Sequence, residues 1–351
     1  MEQTNEVLFY VGTYNSENEQ AIQLCALSVA SGEMRMLDGT KGIENASFLA
    51  VNKASSVLYA VSEKDQGEIY AFAIDPATKA LSKLGSRSTE GGAPCYVSIS
   101  PKEDYIFVSN YSGANVNAFP INDDGSLQEM SDQAKHVGSG MREDRQEAPH
   151  PHSVIPDGSG RHVLVCDLGL DQIVIYRLEA GKLVKHRELN LTPGSGPRHL
   201  SVHPSGQWIY LANELSCTVT VFGNDEQDAN LSVLQQLSTL PGHYTASNDD
   251  TAADIHVSPC GRFLYVSNRG QDSIALFHIH QLTGQLEAVD WQVTGGRTPR
   301  NFAIIEGKLL VANQNSDNIT SFSMDKESGR LMPTGNELGI KSPVCIQALQ
   351  T

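Results

Sequence analysis

One three-part phrase, repeated along the chain, constrains the fold more than any other feature. Its clearest copy begins at Gly196-Pro197-Arg198-His199 and reads as a short alternating strand, a Pro204-Ser205-Gly206 turn, and a second strand that stops at the polar pair Asn213 and Glu214. A third run, Cys217 to Phe222, follows at once. The phrase returns at intervals of about 45 to 57 residues, the spacing expected when one small sheet is repeated around a ring. Its second strand recurs as Phe9 to Gly12, Leu58 to Val61, Ile106 to Ser109, Val163 to Cys166, Ile209 to Ala212, Leu264 to Ser267 and Leu309 to Ala312, which makes seven units.

Each unit has a third strand of similar composition, such as Ile69 to Phe72 or Ile274 to Phe277, and a weaker fourth, such as Leu81 to Leu84 or Leu183 to His186. No helical periodicity intervenes, so the predicted fold class is all-β: a seven-bladed β-propeller of four-stranded antiparallel blades. The first unit starts directly at its second strand, while Pro343 to Leu349 repeats the first-strand phrase with no second strand after it. The C-terminal strand is therefore expected to complete the N-terminal blade, closing the ring and covering two sheet edges. The Trp-Asp and glycine-pair signatures of WD40 and kelch propellers do not recur.

A length of 351 residues would ordinarily suggest two or three domains, but a closed ring of this size is one, so residues 1–351 are read as a single domain. The segment Met1 to Glu6 is polar and acidic, without the basic and apolar regions of a secretory signal, and no apolar run approaches about 18 residues; the expectation is a cytoplasmic protein. Six cysteines are spread singly, with no Cys-x-x-Cys pair and no His/Cys spacing of the zinc kind, so they read as structural thiols and imply neither metal nor cofactor. A net charge of −16 argues against nucleic acid or an anionic membrane as a partner. An anionic small molecule would have to meet a local cluster of Arg and His.

Blade geometry says where to look for one. Strands within a blade are antiparallel, so the start of the first strand and the end of the second lie on one face of the disc, at one mouth of the central channel. At the first place the equivalent residues are Ser47, Cys95, His152, Arg198, Ala253, Arg300 and Val344; at the second they are Tyr14, Glu63, Tyr111, Leu168, Glu214, Arg269 and Gln314. Small or apolar residues would serve a purely structural repeat, yet blades 4 to 7 put His152, Arg198, Glu214, Arg269 and Arg300 there. The register of blade 4 is open: strand spacing places His152 opposite Arg198, whereas aligning Pro156-Asp157-Gly158 with Pro204-Ser205-Gly206 places His150 there. Either choice points both imidazoles to the mouth, since residues two apart in a strand face the same way. The longest gaps, residues 138–146 and 244–250, connect blades on that face and are expected to overhang the mouth; the first adds Arg145 to the candidate arginines.

Pro-His-Pro-His-Ser at 149–153, Gly-Pro-Arg-His at 196–199, Asn213-Glu214, Ala-Asp-Ile-His at 253–256, Ser-Asn-Arg at 267–269 and Pro-Arg at 299–300, taken in order, resemble the motifs of the seven-bladed propeller lactonase family. That family includes a 6-phosphogluconolactonase type and a fungal carboxymuconate cyclase, and the resemblance spans essentially the whole chain. It implies an active site at His150 or His152, Arg198, Glu214 and Arg269.

The expected activity is hydrolysis of an anionic sugar lactone, 6-phosphogluconolactone foremost. Arginine suits it, because the planar guanidinium binds phosphate or carboxylate through paired hydrogen bonds and stabilises an oxyanion at the carbonyl. His152, or His150 if the register shifts, and Glu214 are the candidates for the base and acid roles; Arg198, Arg269, Arg300 and Arg145 are the candidates for substrate binding. A lactonising cyclase needs the same residue types, and a non-catalytic propeller presenting a face to a protein partner is the rival from another class. Arg198 and Glu214 also read as an ion pair closing the sheet end, Arg269 and Arg300 as surface charge, and His199, His203, His256 and Asp254 as strand residues with satisfied hydrogen bonds. Glu63 is a channel carboxylate without the spacing of an ion site. No Gly-x-Ser-x-Gly elbow or phosphate-cradling glycine loop is present.

Overall fold

In the computed structural model, which describes residues 6–349, seven four-stranded antiparallel sheets form a ring. The C-terminal strand, Pro343–Ala348, pairs with Glu6–Thr13 and lies innermost in blade 1, outside which come Ile22–Ser28 and Met34–Thr40. Blades 2 to 7 occupy residues 46–88, 94–135, 151–190, 197–238, 251–293 and 299–339, each with its strands in chain order from the channel outward. Among the described residues the only helical turn is a short 3₁₀ segment, Gln314–Ser316, and no helix is long and apolar enough to cross a membrane.

The second strands are almost wholly buried, completely so in Val57–Ser62 and Trp208–Asn213, because both faces of each sheet meet another blade. Apolar side chains therefore collect in seven clusters, one between each pair of neighbouring blades. The cluster that closes the ring joins Leu310 and Ile319 of blade 7 to Val7, Phe9 and Val11 of blade 1. Four blades add a latch: the hydroxyls of Tyr10, Tyr59, Tyr210 and Tyr265 donate to the carbonyls of Lys79, Gly125, Gly284 and Gly329 in the hairpin of the next blade.

Two repeated features aim side chains at the mouth. First, every innermost strand carries a β-bulge near its start, and the extra residue is Ser47, Cys95, His152, Arg198, Arg300 or Val344. In blade 6 the bulge spans two residues, Ala253 and Asp254, in a strand that begins at Thr251. A bulge turns the side chain out of the ladder and bends the strand, which is how a flat repeat presents a residue to the channel. Second, in six blades the residue after the second strand donates its N–H to the carbonyl just before the first strand: Tyr14 to Ser342, Glu63 to Asn45, Tyr111 to Ala93, Leu168 to His150, Glu214 to Gly196 and Gln314 to Thr298. This bond locks the two mouth positions together. It also settles blade 4, since His150 occupies the place before the strand and His152 is the counterpart of Arg198.

Candidate active site

Glu214 is the hub of the mouth. Its carboxylate is 2% exposed and meets three guanidiniums: Arg145 Nη2 donates to Oε1 at 2.5 Å, while Arg269 Nη2 and Arg198 Nε lie 2.8 and 2.9 Å from Oε2. Burial alone would raise its pKa, but Arg269, Arg198 and Arg145 outweigh that and hold the carboxyl far below the usual range. Arg198 is itself 1% exposed, its Nη1 donating to the Ala253 carbonyl at 2.9 Å; burial, with Arg269 and Arg300 nearby, pushes its pKa down to about 10, still cationic at neutral pH.

His152 stands beside this clasp, Nε2 4.0 Å from Glu214 Oε2 and Nδ1 3.8 Å from the Cys95 thiol. Burial, reinforced by Arg198, holds its pKa well below the ordinary value, so the imidazole is neutral at pH 7. Cys95 is no nucleophile, for burial pushes its thiol up to about 12. His150 stacks on Tyr111 with ring centroids 4.2 Å apart and donates through Nδ1 to the Tyr111 carbonyl at 3.0 Å; its Nε2 is 3.3 Å from Glu147. Of the two imidazoles only His152 reaches the clasp.

Arg145 comes from the first long connection, which overhangs the mouth as expected and also brings its guanidinium to the Tyr111 hydroxyl at 3.5 Å. The second does not contribute: side chains 242–249 are exposed, and the segment is tied down by Asp250, which accepts from Ser247 N and Tyr244 Oη. Arg300 faces the same mouth from the other side, with Glu63 Oε2 at 3.9 Å and the Tyr14 ring at 5.4 Å.

Beneath the mouth lies a layer that the alternation of the strands did not predict as part of the site. Phe48 stacks on Tyr96, both rings meet His199 edge-on, and His199 sits 5.2 Å from His152 between ring centroids. Asp254 binds the layer together, accepting from His199 Nδ1, His256 Nε2, Asn301 Nδ2 and the N–H groups of Ile255 and Phe302. The hydrogen-bonded reading of these residues holds, as it does for His203, whose ring meets Ser205 Oγ and the Gly261 carbonyl. A cavity of about 570 Å³ opens on the opposite face, lined by residues that include Phe48, Tyr96, Phe302 and Ile346; none of the clasp residues reaches it. Ionisable groups converge at the mouth, whereas that cavity is lined largely by apolar residues.

Fold and mouth together define a seven-bladed propeller with a cationic cluster at one end of its channel: Arg145, Arg198, Arg269 and Arg300 against Glu214 and Glu63 sum to +2 in a chain of net −16. The chain matches the family described as Lactonase, 7-bladed beta-propeller, over residues 8–348, and it belongs to that family. A 6-phosphogluconolactonase of Bacillus subtilis is 34% identical over 343 residues, covering 97% of each chain. One of Formosa agariphila is 32% identical, with 96% of this chain and 98% of that one covered. The solved structure of a periplasmic gluconolactonase from Pseudomonas aeruginosa superposes with a TM-score of 0.93 at 30% identity over 99% of each chain.

Proposed function

We propose that the chain opens the ring ester of an anionic sugar lactone, 6-phosphogluconolactone, with water to give 6-phosphogluconate. The observation that carries this reading is the excess of arginines fixed around one buried carboxylate beside a neutral imidazole, in a family whose relatives include 6-phosphogluconolactonases. The roles follow from the charges. Glu214 has both oxygens engaged by guanidiniums and stays ionised, so it organises the arginines rather than exchanging protons. His152 takes the proton from water as its oxygen attacks the carbonyl carbon, and returns it to the ring oxygen as the C–O bond breaks. Arg198 and Arg269 stabilise the negative charge that develops on the carbonyl oxygen. A docked anion offsets the arginine field that depresses His152, raising its basicity when substrate is present.

Cytoplasmic residence fits six unpaired cysteines, five of them buried. The test is a coupled assay for 6-phosphogluconate with the spontaneous hydrolysis subtracted. Catalysed formation at micromolar enzyme supports the reading; a rate equal to the uncatalysed one overturns it.

A further inference from the structure

The mouth is divided into two arcs. Blades 4 to 6, with the connection before blade 4, supply His152, Arg145, Arg198, Glu214 and Arg269, the groups assigned above to the chemistry. Arg300, Tyr14 and Glu63 come from blades 7, 1 and 2, which adjoin one another on the opposite arc. A ligand lying across the channel has one end at each arc.

The two arcs treat their cations differently. Each guanidinium of the clasp has a carboxylate oxygen within 2.9 Å. For Arg300, among the described residues, the nearest carboxylate is Glu63 at 3.9 Å, beyond hydrogen-bond reach. Glu63 is turned to a different partner, its Oε2 accepting the Tyr14 hydroxyl at 2.9 Å. The Arg300 side chain is only 16% exposed, so its fork of N–H donors is held largely out of bulk water and aimed at the channel by the bulge of its strand. Its charge is nonetheless felt across the mouth, being one of those that depress His152.

We propose that Arg300 is the specificity-determining residue of a distal anion subsite, recognising a phosphate monoester or comparable anion at the end of the substrate remote from the lactone, with Glu63 acting against that anion. This rests on the lactonase reading of the opposite arc. The Glu63 carboxylate holds the Tyr14 hydroxyl and repels an incoming dianion; the subsite is thereby tuned to ligands able to make paired charge-assisted hydrogen bonds with the guanidinium. A neutral lactone uses only the clasp arc.

The experiment compares 6-phosphogluconolactone with neutral δ-gluconolactone in the wild type and in Arg300→Gln, Arg300→Lys and Glu63→Gln. Charge-assisted hydrogen bonds of about 1.5–3 kcal/mol correspond to roughly 10- to 150-fold. Arg300→Gln is expected to lower kcat/KM for the phosphorylated lactone by about that factor, carried by KM, while the neutral lactone loses less than about threefold. Arg300→Lys, which keeps charge without the fork, falls between; Glu63→Gln lowers KM for the phosphorylated lactone alone. Equal losses on both lactones, or no loss on either, overturn the proposal. If the wild type hydrolyses neither, the lactonase reading fails, and the subsite is tested separately by calorimetric binding of 6-phosphogluconate against gluconate: a preference for the phosphate lost in Arg300→Gln sustains it, and equal binding removes it.

Discussion

Glu214 and His152 make opposite electrostatic demands, and Arg198 and Arg269 serve both. Three guanidiniums keep the carboxylate ionised, while burial, reinforced by Arg198, Arg300 and Arg269, keeps the adjacent imidazole neutral. Glu214→Gln removes the charge that pairs Arg198, Arg269 and Arg145, leaving buried like charges, and is expected to cost about 3–5 kcal/mol of stability along with activity; urea denaturation measures the first. With His152 as base, kcat/KM is expected to stay level as pH falls from 8 through 6.5 and to turn down only well below, because its folded pKa is depressed. A pH profile with its midpoint at 6.5 or above would assign the base elsewhere. Folding stability follows the same sign for His199, pushed down to about 4 by burial: its contribution is complete above its unfolded value of 6.5 and is lost as pH falls toward 4. His256, raised by Asp254 against burial, works in the opposite sense but is partly exposed. The urea midpoint should therefore be lower at pH 4.5 than at pH 7.

Arg198, His152 and Arg300 were legible because a repeat makes an unusual residue visible against its equivalents. The neighbours His199 and Asn301 were not, because period-2 alternation turns them away from the channel, and the bulge at Arg198 or Arg300 breaks that alternation. Asp254 was hidden further by a two-residue bulge. The ambiguity between His150 and His152 had a different cause: Pro156 ends the first strand of blade 4, whereas Pro204 stands two residues beyond the end of the first strand of blade 5, so matching the prolines shifts the register by two. The Glu214–Arg145 contact, 69 residues apart in sequence, was accessible only as an overhanging loop. The tyrosine latch gives an independent check on blade packing: Tyr210→Phe leaves the buried Gly284 carbonyl without its donor and is expected to cost about 1–3 kcal/mol, read as a lower urea midpoint with an unchanged slope.

For the whole molecule, closure is the feature on which everything else depends. Seven interblade clusters form a ring only if Pro343–Ala348 occupies the inner edge of blade 1, where Ile346 also enters the cluster shared with blade 7. The same strand is tied to the layer under the site, its Ile346 N–H donating to Asn301, which in turn bonds Asp254. Ending the chain at residue 342 should expose the edge of Glu6–Thr13, abolish a single cooperative melt and promote association, seen by calorimetry and size-exclusion chromatography. A truncated chain that melts as the full chain does would mean that the ring is stable without its closing strand.

The claim that the channel mouth is a lactonase active site is tested most directly by the steady-state kinetics of His152→Gln on 6-phosphogluconolactone, with the thermal midpoint measured alongside. With His152 as the base, kcat is expected to fall by about 10² to 10⁴, with KM within a few-fold of the wild type and a midpoint near that of the wild type. A variant that folds normally and retains the wild-type kcat would contradict it.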